Sequence, residues 1–317
     1  MTHRRNKTIV VEVFFVGFES LTEYKAPFFL LLFLFYTFTC IDNSLIILLI
    51  WKSPHLHSPM YYLIANLLFC EVIYITNLVP PLMHSTLSGR WSMDFISCLV
   101  QINVTICITG FETFLLTLMS YDRYLAICQP LRYTTLIHNR LCLYFVIAFW
   151  MVSLAISLVI FYMLLSLVFC APVAMEHFVC EYTAFFSFAC IMSDRMPLII
   201  FGLVVSTIIN APYLLILVSY IFIVISVLKI KSSAGRKKAF STCGSHLLVV
   251  SIYFGIPFLA SMVPGGTDYY NLMAAVYYGV PPLINPLIYS LRNQEIHKAL
   301  QTAMSAIKQY FSGKISQ

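Results

Sequence analysis

Only a few ionisable side chains lie inside the long apolar stretches of this chain: Asp42, Glu71, Glu112 and the adjacent Asp122 and Arg123. Charge in an apolar span is costly, so such groups face a protein interior or a wet cavity and mark ion, proton or ligand pathways. Their spacing organises one stretch in particular. At about 100° of rotation per helical residue, Cys98, Thr105, Glu112 and Arg123 fall within about 20° of a common line, with Thr109 about 40° from Arg123. One stripe therefore carries a thiol, two hydroxyls, a carboxylate and a guanidinium. It belongs on the inside of a helix bundle. Thr105 precedes Arg123 by 18 residues, about 27 Å along a helix axis. Glu112 admits two readings. It is a protonated carboxyl hydrogen-bonded between helices, or it shares a proton or cation with Glu71. Asp42 can pack against polar neighbours without a further role.

The elements that position these groups follow from composition. Of 317 residues, 60% are hydrophobic and 10% charged, against about 25% charged in soluble domains. A helix needs about 20 apolar residues to cross the hydrocarbon of a bilayer. Seven such spans are expected, near 26–50, 60–83, 97–123, 141–167, 197–228, 238–262 and 271–291. Beyond them, Ile296, Leu300, Met304, Ile307 and Phe311 recur at helical spacing, which predicts an amphipathic helix on the membrane surface. The expected fold is an all-α membrane protein, a seven-helix bundle over 26–291. An outer tail over 1–25 precedes it, and a cytoplasmic helix and tail over 292–317 follow it. The segment before the first span lacks the apolar core of a cleavable signal, so that span is expected to act as an uncleaved insertion signal.

A net charge of +6 ordinarily suggests nucleic acid. Here Lys52, Arg132, Arg140, Lys229, Lys231, Arg236, Lys237, Lys238, Arg292, Lys298, Lys308 and Lys314 gather on one side, with Glu295 the acid clearly among them. Lys/Arg-rich loops stay cytoplasmic, so the N-terminus is expected outside and the C-terminus inside. The basic excess then reports topology and attraction to anionic membrane lipid, and no nucleic-acid partner is expected. Asn6-Lys7-Thr8 is a glycosylation sequon on the outer side. A second sequon, Asn103-Val-Thr105, lies within a span and is expected to stay unmodified. Cys98, Cys170, Cys180 and Cys190 lie on the outer, oxidising side, where four cysteines allow three pairings.

Four motifs go further. Met119-Ser-Tyr-Asp-Arg-Tyr-Leu-Ala-Ile-Cys-Gln-Pro-Leu-Arg-Tyr133 resembles the signature of vertebrate odorant receptors, within the rhodopsin-like G-protein-coupled receptors. Leu56-His-Ser-Pro-Met-Tyr61, Lys238-Ala-Phe-Ser-Thr-Cys-Gly-Ser-His-Leu247 and Pro282-Leu-Ile-Asn-Pro-Leu-Ile-Tyr-Ser-Leu-Arg-Asn293 resemble further motifs of that family, in its order. The resemblance implies a plasma-membrane receptor with no enzymatic activity and no cofactor. Its partners would be a small organic odorant and a heterotrimeric G protein of the olfactory stimulatory type, which raises cyclic AMP. It assigns Asp122, Arg123, Tyr124, Tyr220, Asn285, Pro286 and Tyr289 to coupling and switching, makes Trp150 and Pro212 helix reference positions, and groups Asn43, Glu71 and Glu112 as an intramembrane polar or cation site. It also implies the disulfides Cys98–Cys180 and Cys170–Cys190. His177, Cys180 and Glu181 resemble a metal-ligand set, but a disulfide at Cys180 removes its thiolate, and no metal site is expected.

The ligand is expected in the outer half of the bundle, between spans three, five, six and seven. Candidate lining residues are Thr105, Ile106, Thr109, Gly110, Val205, Ile208, Phe254, Ser261 and Tyr278. Apolar walls with a few hydroxyls suit a small, mostly hydrophobic ligand. No carboxylate lies at the level of Thr105, which disfavours an amine anchored there. The chain departs from the family pattern at Asp42, at Glu71, at Pro81 after Pro80, and at Tyr253-Phe-Gly255, which inverts a common aromatic order. A transporter would instead show inverted repeats or helices broken at the midplane, and neither is evident.

Overall fold

The computed structural model describes residues 12–15, 24–88, 91–169, 173–175, 179–189, 196–262 and 267–315. Seven long helices form the bundle: α1 (Lys25–Lys52), α2 (Pro59–Ser88), α3 (Phe95–Cys128), α5 (Asn139–Leu165), α7 (Met196–Leu228), α8 (Ser233–Met262) and α9 (Thr267–Arg292). Two short helices, α4 (Tyr133–Leu136) and α6 (Tyr182–Phe188), lie in the loops on either side of α5, and α10 (Gln294–Ile315) follows the last span. Six of the long helices are apolar and long enough to cross a membrane. In α8 the apolar stretch is shorter, Cys243–Leu259, because its first turns carry Arg236, Lys237 and Lys238. That helix therefore begins before the expected 238: basic residues end an apolar run without lowering helix propensity.

Large apolar side chains such as Leu31, Ile41, Val159, Tyr162 and Leu214 are exposed on the outside of the bundle. The buried core runs through Leu63, Leu67, Phe111, Leu115, Met119 and Tyr289. Helix α3 packs against α2, α5, α7 and α8, so its stripe is central to the bundle. Gly110 permits the close approach to α5, since a Cβ there would sit 3.3 Å from Ser153 Oγ. Asn103 donates to the Ser157 carbonyl of α5 at 2.8 Å, so the amide of the second sequon is engaged between helices.

Prolines shape the interior. Each removes the N–H that would bond the carbonyl four residues back. Pro286 in α9 frees the Pro282 carbonyl, and Asn43 Nδ2 of α1 donates to it at 2.9 Å. Pro81 in α2 frees the Asn77 carbonyl, and Gln101 Nε2 of α3 donates to it at 3.0 Å. Both substitutes tie one span to another.

Over the N-terminal end of α3, the end expected outside and hereafter the outer end, lies a three-stranded sheet in the order β2-β1-β3. Its middle strand is β1 (Glu12–Phe15), within the segment expected as a plain tail. It pairs antiparallel with β2 (Ser92–Asp94) and parallel with β3 (Val173–Met175) of the outer loop. Val13, Cys98, Leu99, Phe169, Val173 and Phe185 form a second core beneath it. At the other end, Asn293 Oδ1 accepts from the N–H groups of Glu295 and Ile296. That satisfies the otherwise unbonded first turn of α10. The same oxygen accepts from the Tyr61 hydroxyl of α2 at 3.0 Å, and Ile296 and Ala299 are buried.

Candidate functional site

The interior polar groups occupy three levels along α3. At the outer level, Cys98 is bonded to Cys180, which joins the outer loop to α3. Just below, Gln101 Oε1 accepts from the Cys180 N–H at 3.0 Å. Asn77 Nδ2 donates to the Gln101 carbonyl at 3.0 Å and to Thr105 Oγ1 at 3.1 Å. Tyr74 lies about one turn below Asn77 and packs against Tyr278, ring centroids 6.1 Å apart.

The middle level holds both carboxylates. Glu71 and Glu112 are buried, Glu71 completely. Glu71 Oε1 accepts from the Tyr253 hydroxyl of α8 at 3.0 Å and from Asn285 Nδ2 of α9. Three helices therefore meet on one oxygen. Glu112 borders a small cavity with Tyr74, Tyr253, Tyr277, Pro281 and Pro282, with room for about one water-sized sphere. Glu71 Oε2, Glu112 Oε1, Asn43 Oδ1 and Asn285 Oδ1 are buried without a hydrogen-bond partner among the described residues. Oxygen atoms of this kind favour a proton or a small cation over an anion.

At the inner level, the Tyr220 hydroxyl meets His246 Nδ1 at 2.6 Å, joining α7 to α8. Arg123 Nε and Nη2 donate to Asp122 Oδ2 at 3.0 and 2.6 Å. The Tyr133 hydroxyl of α4 donates to the other oxygen, Asp122 Oδ1, at 2.8 Å. Burial and the Asp122 charge push the Tyr133 phenol above its usual pKa. Tyr124 packs edge-on against Phe222 of α7, centroids 6.1 Å apart.

The structure thus places Thr105 against α2 and Glu112 against α2, α8 and α9, with Glu71, Asn285 and Asn43 nearby, while Asp122 pairs with Arg123 and with Tyr133 of α4. Other expected lining residues sit differently. Gly110 faces Ser153 of α5. Ile106 packs on the outer core. Phe254 packs against Tyr213 of α7, ring centroids 5.1 Å apart and tilted by 35°. Val205, Ile208 and Ser261 lie on α7 and α8, but their side chains lie outside the described residues, as do Asn6, Cys170, His177 and Cys190. Sequence reasoning missed Asn77, Gln101, Tyr133 and His246 as members of the network. Pro81 was the available signal for the first two, because an unpaired carbonyl inside a span demands a donor from elsewhere.

The family model described as "Olfactory receptor" matches residues 32–307. Olfactory receptor 6N1 of Homo sapiens is 38% identical, the match covering 95% of this chain and 97% of that protein. Olfactory receptor 13F1 of Homo sapiens is 35% identical over 97% and 96%. Olfactory receptor 1E16 of Mus musculus is 36% identical over 94% and 95%. Among solved structures, squid rhodopsin superposes with a TM-score of 0.68 at 17% identity, covering 89% of this chain and 80% of that one.

Proposed function

Because this chain belongs to the olfactory receptor family, a family of multi-pass membrane receptors and not of enzymes, we propose that it binds a small, mostly hydrophobic odorant in the outer half of its bundle and activates an olfactory stimulatory G protein, raising cyclic AMP. The observation that carries this reading is the single face of α3 that bears Thr105, Glu112 and Arg123, with buried Leu116 and Met119 packed between the last two. That face links a polar level at Thr105 to a charged one at Arg123 through a helix packed on four others. The segregation of basic residues supports a plasma-membrane topology with the N-terminus outside, with Asn6 glycosylated there and Cys170 joined to Cys190. It also supports contact of the inner loops with anionic lipid.

The test is a panel of small volatile compounds applied to cells expressing the receptor. Cyclic AMP is the readout, and an N-terminal epitope stained on unpermeabilised cells monitors delivery. A dose-dependent rise in cyclic AMP is expected. Ligand-independent ion flux with no G-protein response would sink the receptor reading.

The middle level serves as a proton or monovalent-cation site, held by Asn43, Glu71 and Glu112. Two buried carboxylates so placed need a proton on one of them or a cation beside them, and the cavity beside Glu112 is too small for an odorant. Replacing external sodium with a bulky organic cation is expected to shift the odorant dose–response curve several-fold, and Glu112→Gln to abolish that shift. Equal sodium dependence in both proteins would leave the carboxylates a packing role only.

A further inference from the structure

We infer that Asn77, through Thr105, makes this receptor selective for apolar ligands that carry a hydrogen-bond acceptor: aldehydes, ketones and esters. The inference deepens the function proposed above and rests on it. It begins at Pro81. With no N–H at that position, the Asn77 carbonyl has no donor in its own helix, and Gln101 Nε2 supplies one. Gln101 is 4% exposed, and its side-chain oxygen is engaged by the Cys180 N–H. Backbone groups at both ends fix that amide.

The Asn77 amide is oriented by two contacts at its nitrogen end. One of its contacts is the Gln101 carbonyl, which can only accept, so the nitrogen end faces α3. Thr105 Oγ1, the second contact, is therefore an acceptor toward Asn77. Its own proton must point elsewhere. In the spans, Thr39, Thr76, Thr86, Thr113 and Thr117 each give that proton to the carbonyl four residues back. For Thr105 that carbonyl belongs to Gln101 and is taken by Asn77. Among the described residues the Thr105 proton has no acceptor. The side chain is half-buried, though it sits ten residues into α3, about 15 Å from its outer end. The result is an oriented O–H donor at the level where the ligand is expected, above the Tyr74–Tyr278 pair.

A carbonyl oxygen satisfies this donor and brings no donor of its own to be stranded in apolar surroundings. An alcohol accepts the bond but leaves its hydroxyl proton to be satisfied. An alkane leaves Thr105 unpaired, and an ammonium group cannot accept at all. One neutral hydrogen bond lost in an apolar pocket corresponds to about a tenfold change in affinity.

The experiment uses straight-chain compounds of equal length that end in an aldehyde, methyl ketone, alcohol, amine or alkyl group. Binding is read as thermal protection of the detergent-solubilised full-length receptor, and signalling as cyclic AMP in cells. The aldehyde and ketone are expected to bind about tenfold more tightly than the alkane and amine. Thr105→Val is expected to bring aldehyde, ketone and alkane to equal affinity, and Thr105→Ser to retain the preference. Asn77→Leu also removes it, because Thr105 then turns back to the Gln101 carbonyl. Should Asn77→Leu fail to reach the surface, the Thr105→Val and Thr105→Ser pair decides alone. Carbonyl-selective binding without cyclic AMP supports this inference and refutes the signalling reading. The absence of carbonyl-selective binding overturns the inference, whatever the cyclic AMP response.

Discussion

Cys98→Ser is expected to reduce the receptor on the cell surface to background while total expression persists. Cys98 is fully buried, and its bond to Cys180 closes a loop of 82 residues in sequence separation. Disulfides of this kind contribute about 2–5 kcal/mol, a large share of the roughly 5–15 kcal/mol that separates a folded domain from its unfolded chain. More than loop closure is lost. The Cys180 N–H is the partner of Gln101, and Val173 and Phe185 of the same loop cover the outer core with Val13. Releasing the loop therefore uncovers apolar surface and strands a buried amide. On the proposed topology it also leaves the Cys180 thiol in an oxidising compartment, near Cys170 and Cys190 in sequence, where mispairing is expected. Surface staining of an N-terminal epitope, divided by total protein, measures the effect. Cys180→Ser should match it, and the double variant should be no worse than either single one, since all three lose one bond. Cys40→Ser, at a free thiol, should be delivered normally. Normal delivery and odorant response of Cys98→Ser would refute the structural role assigned to the bond.

Much of this architecture is legible in the residues alone, for definite reasons. Runs of about 20 apolar residues have one stable fate in a bilayer. The angular spacing of Thr105, Glu112 and Arg123 identifies an inward line without any knowledge of the partners. The surface helix α10 follows from Ile296 and Leu300, and Asn293 caps it as its residue type allows. The strand Glu12–Phe15 was not legible. Four residues acquire strand geometry here by pairing with segments far away in the chain, and no local pattern specifies that register.

The site was legible in one dimension only. Rotation about α3 places Thr105 and Glu112 inside but cannot say which helix each one faces. Gly110 lies one position from Thr109, about 100° around the helix, and meets Ser153 of α5 instead of the interior cavity. Tyr253 stood out only as a departure from a family pattern. Its hydroxyl gains meaning when α2 and α9 bring Glu71 and Asn285 to it. Asn77 looked like an ordinary polar residue in a span until Pro81 is read as a missing donor. The general point is that prolines and buried amides in spans should be considered together, because one creates the deficit that the other fills.

The inner level gives a prediction whose sign discriminates between roles. Arg123 has a side chain 12% exposed and places both donors on one oxygen of Asp122, which is fully buried. Asp122 gives its other oxygen to Tyr133, so it also anchors the loop after α3. In this arrangement the guanidinium is paired within the chain, and on the proposed topology that withholds it from the G protein. Arg123→Ala is expected to bring odorant-evoked cyclic AMP to the level of cells lacking the receptor, with odorant binding and surface delivery retained. Asp122→Asn acts on the opposite half of the pair. The asparagine keeps an oxygen for the Tyr133 hydroxyl but loses the charge that holds Arg123. Hydrogen bonds to charged groups contribute about 1.5–3 kcal/mol, so the balance between free and paired Arg123 shifts about ten- to hundredfold toward free. Ligand-independent cyclic AMP should therefore rise in Asp122→Asn, and the rise should vanish when Arg123→Ala is added. A pair that only supported the fold would lose signal in both single variants, in proportion to surface delivery. Opposite signs from adjacent residues require that Arg123 be the group exposed on activation and Asp122 the group that restrains it.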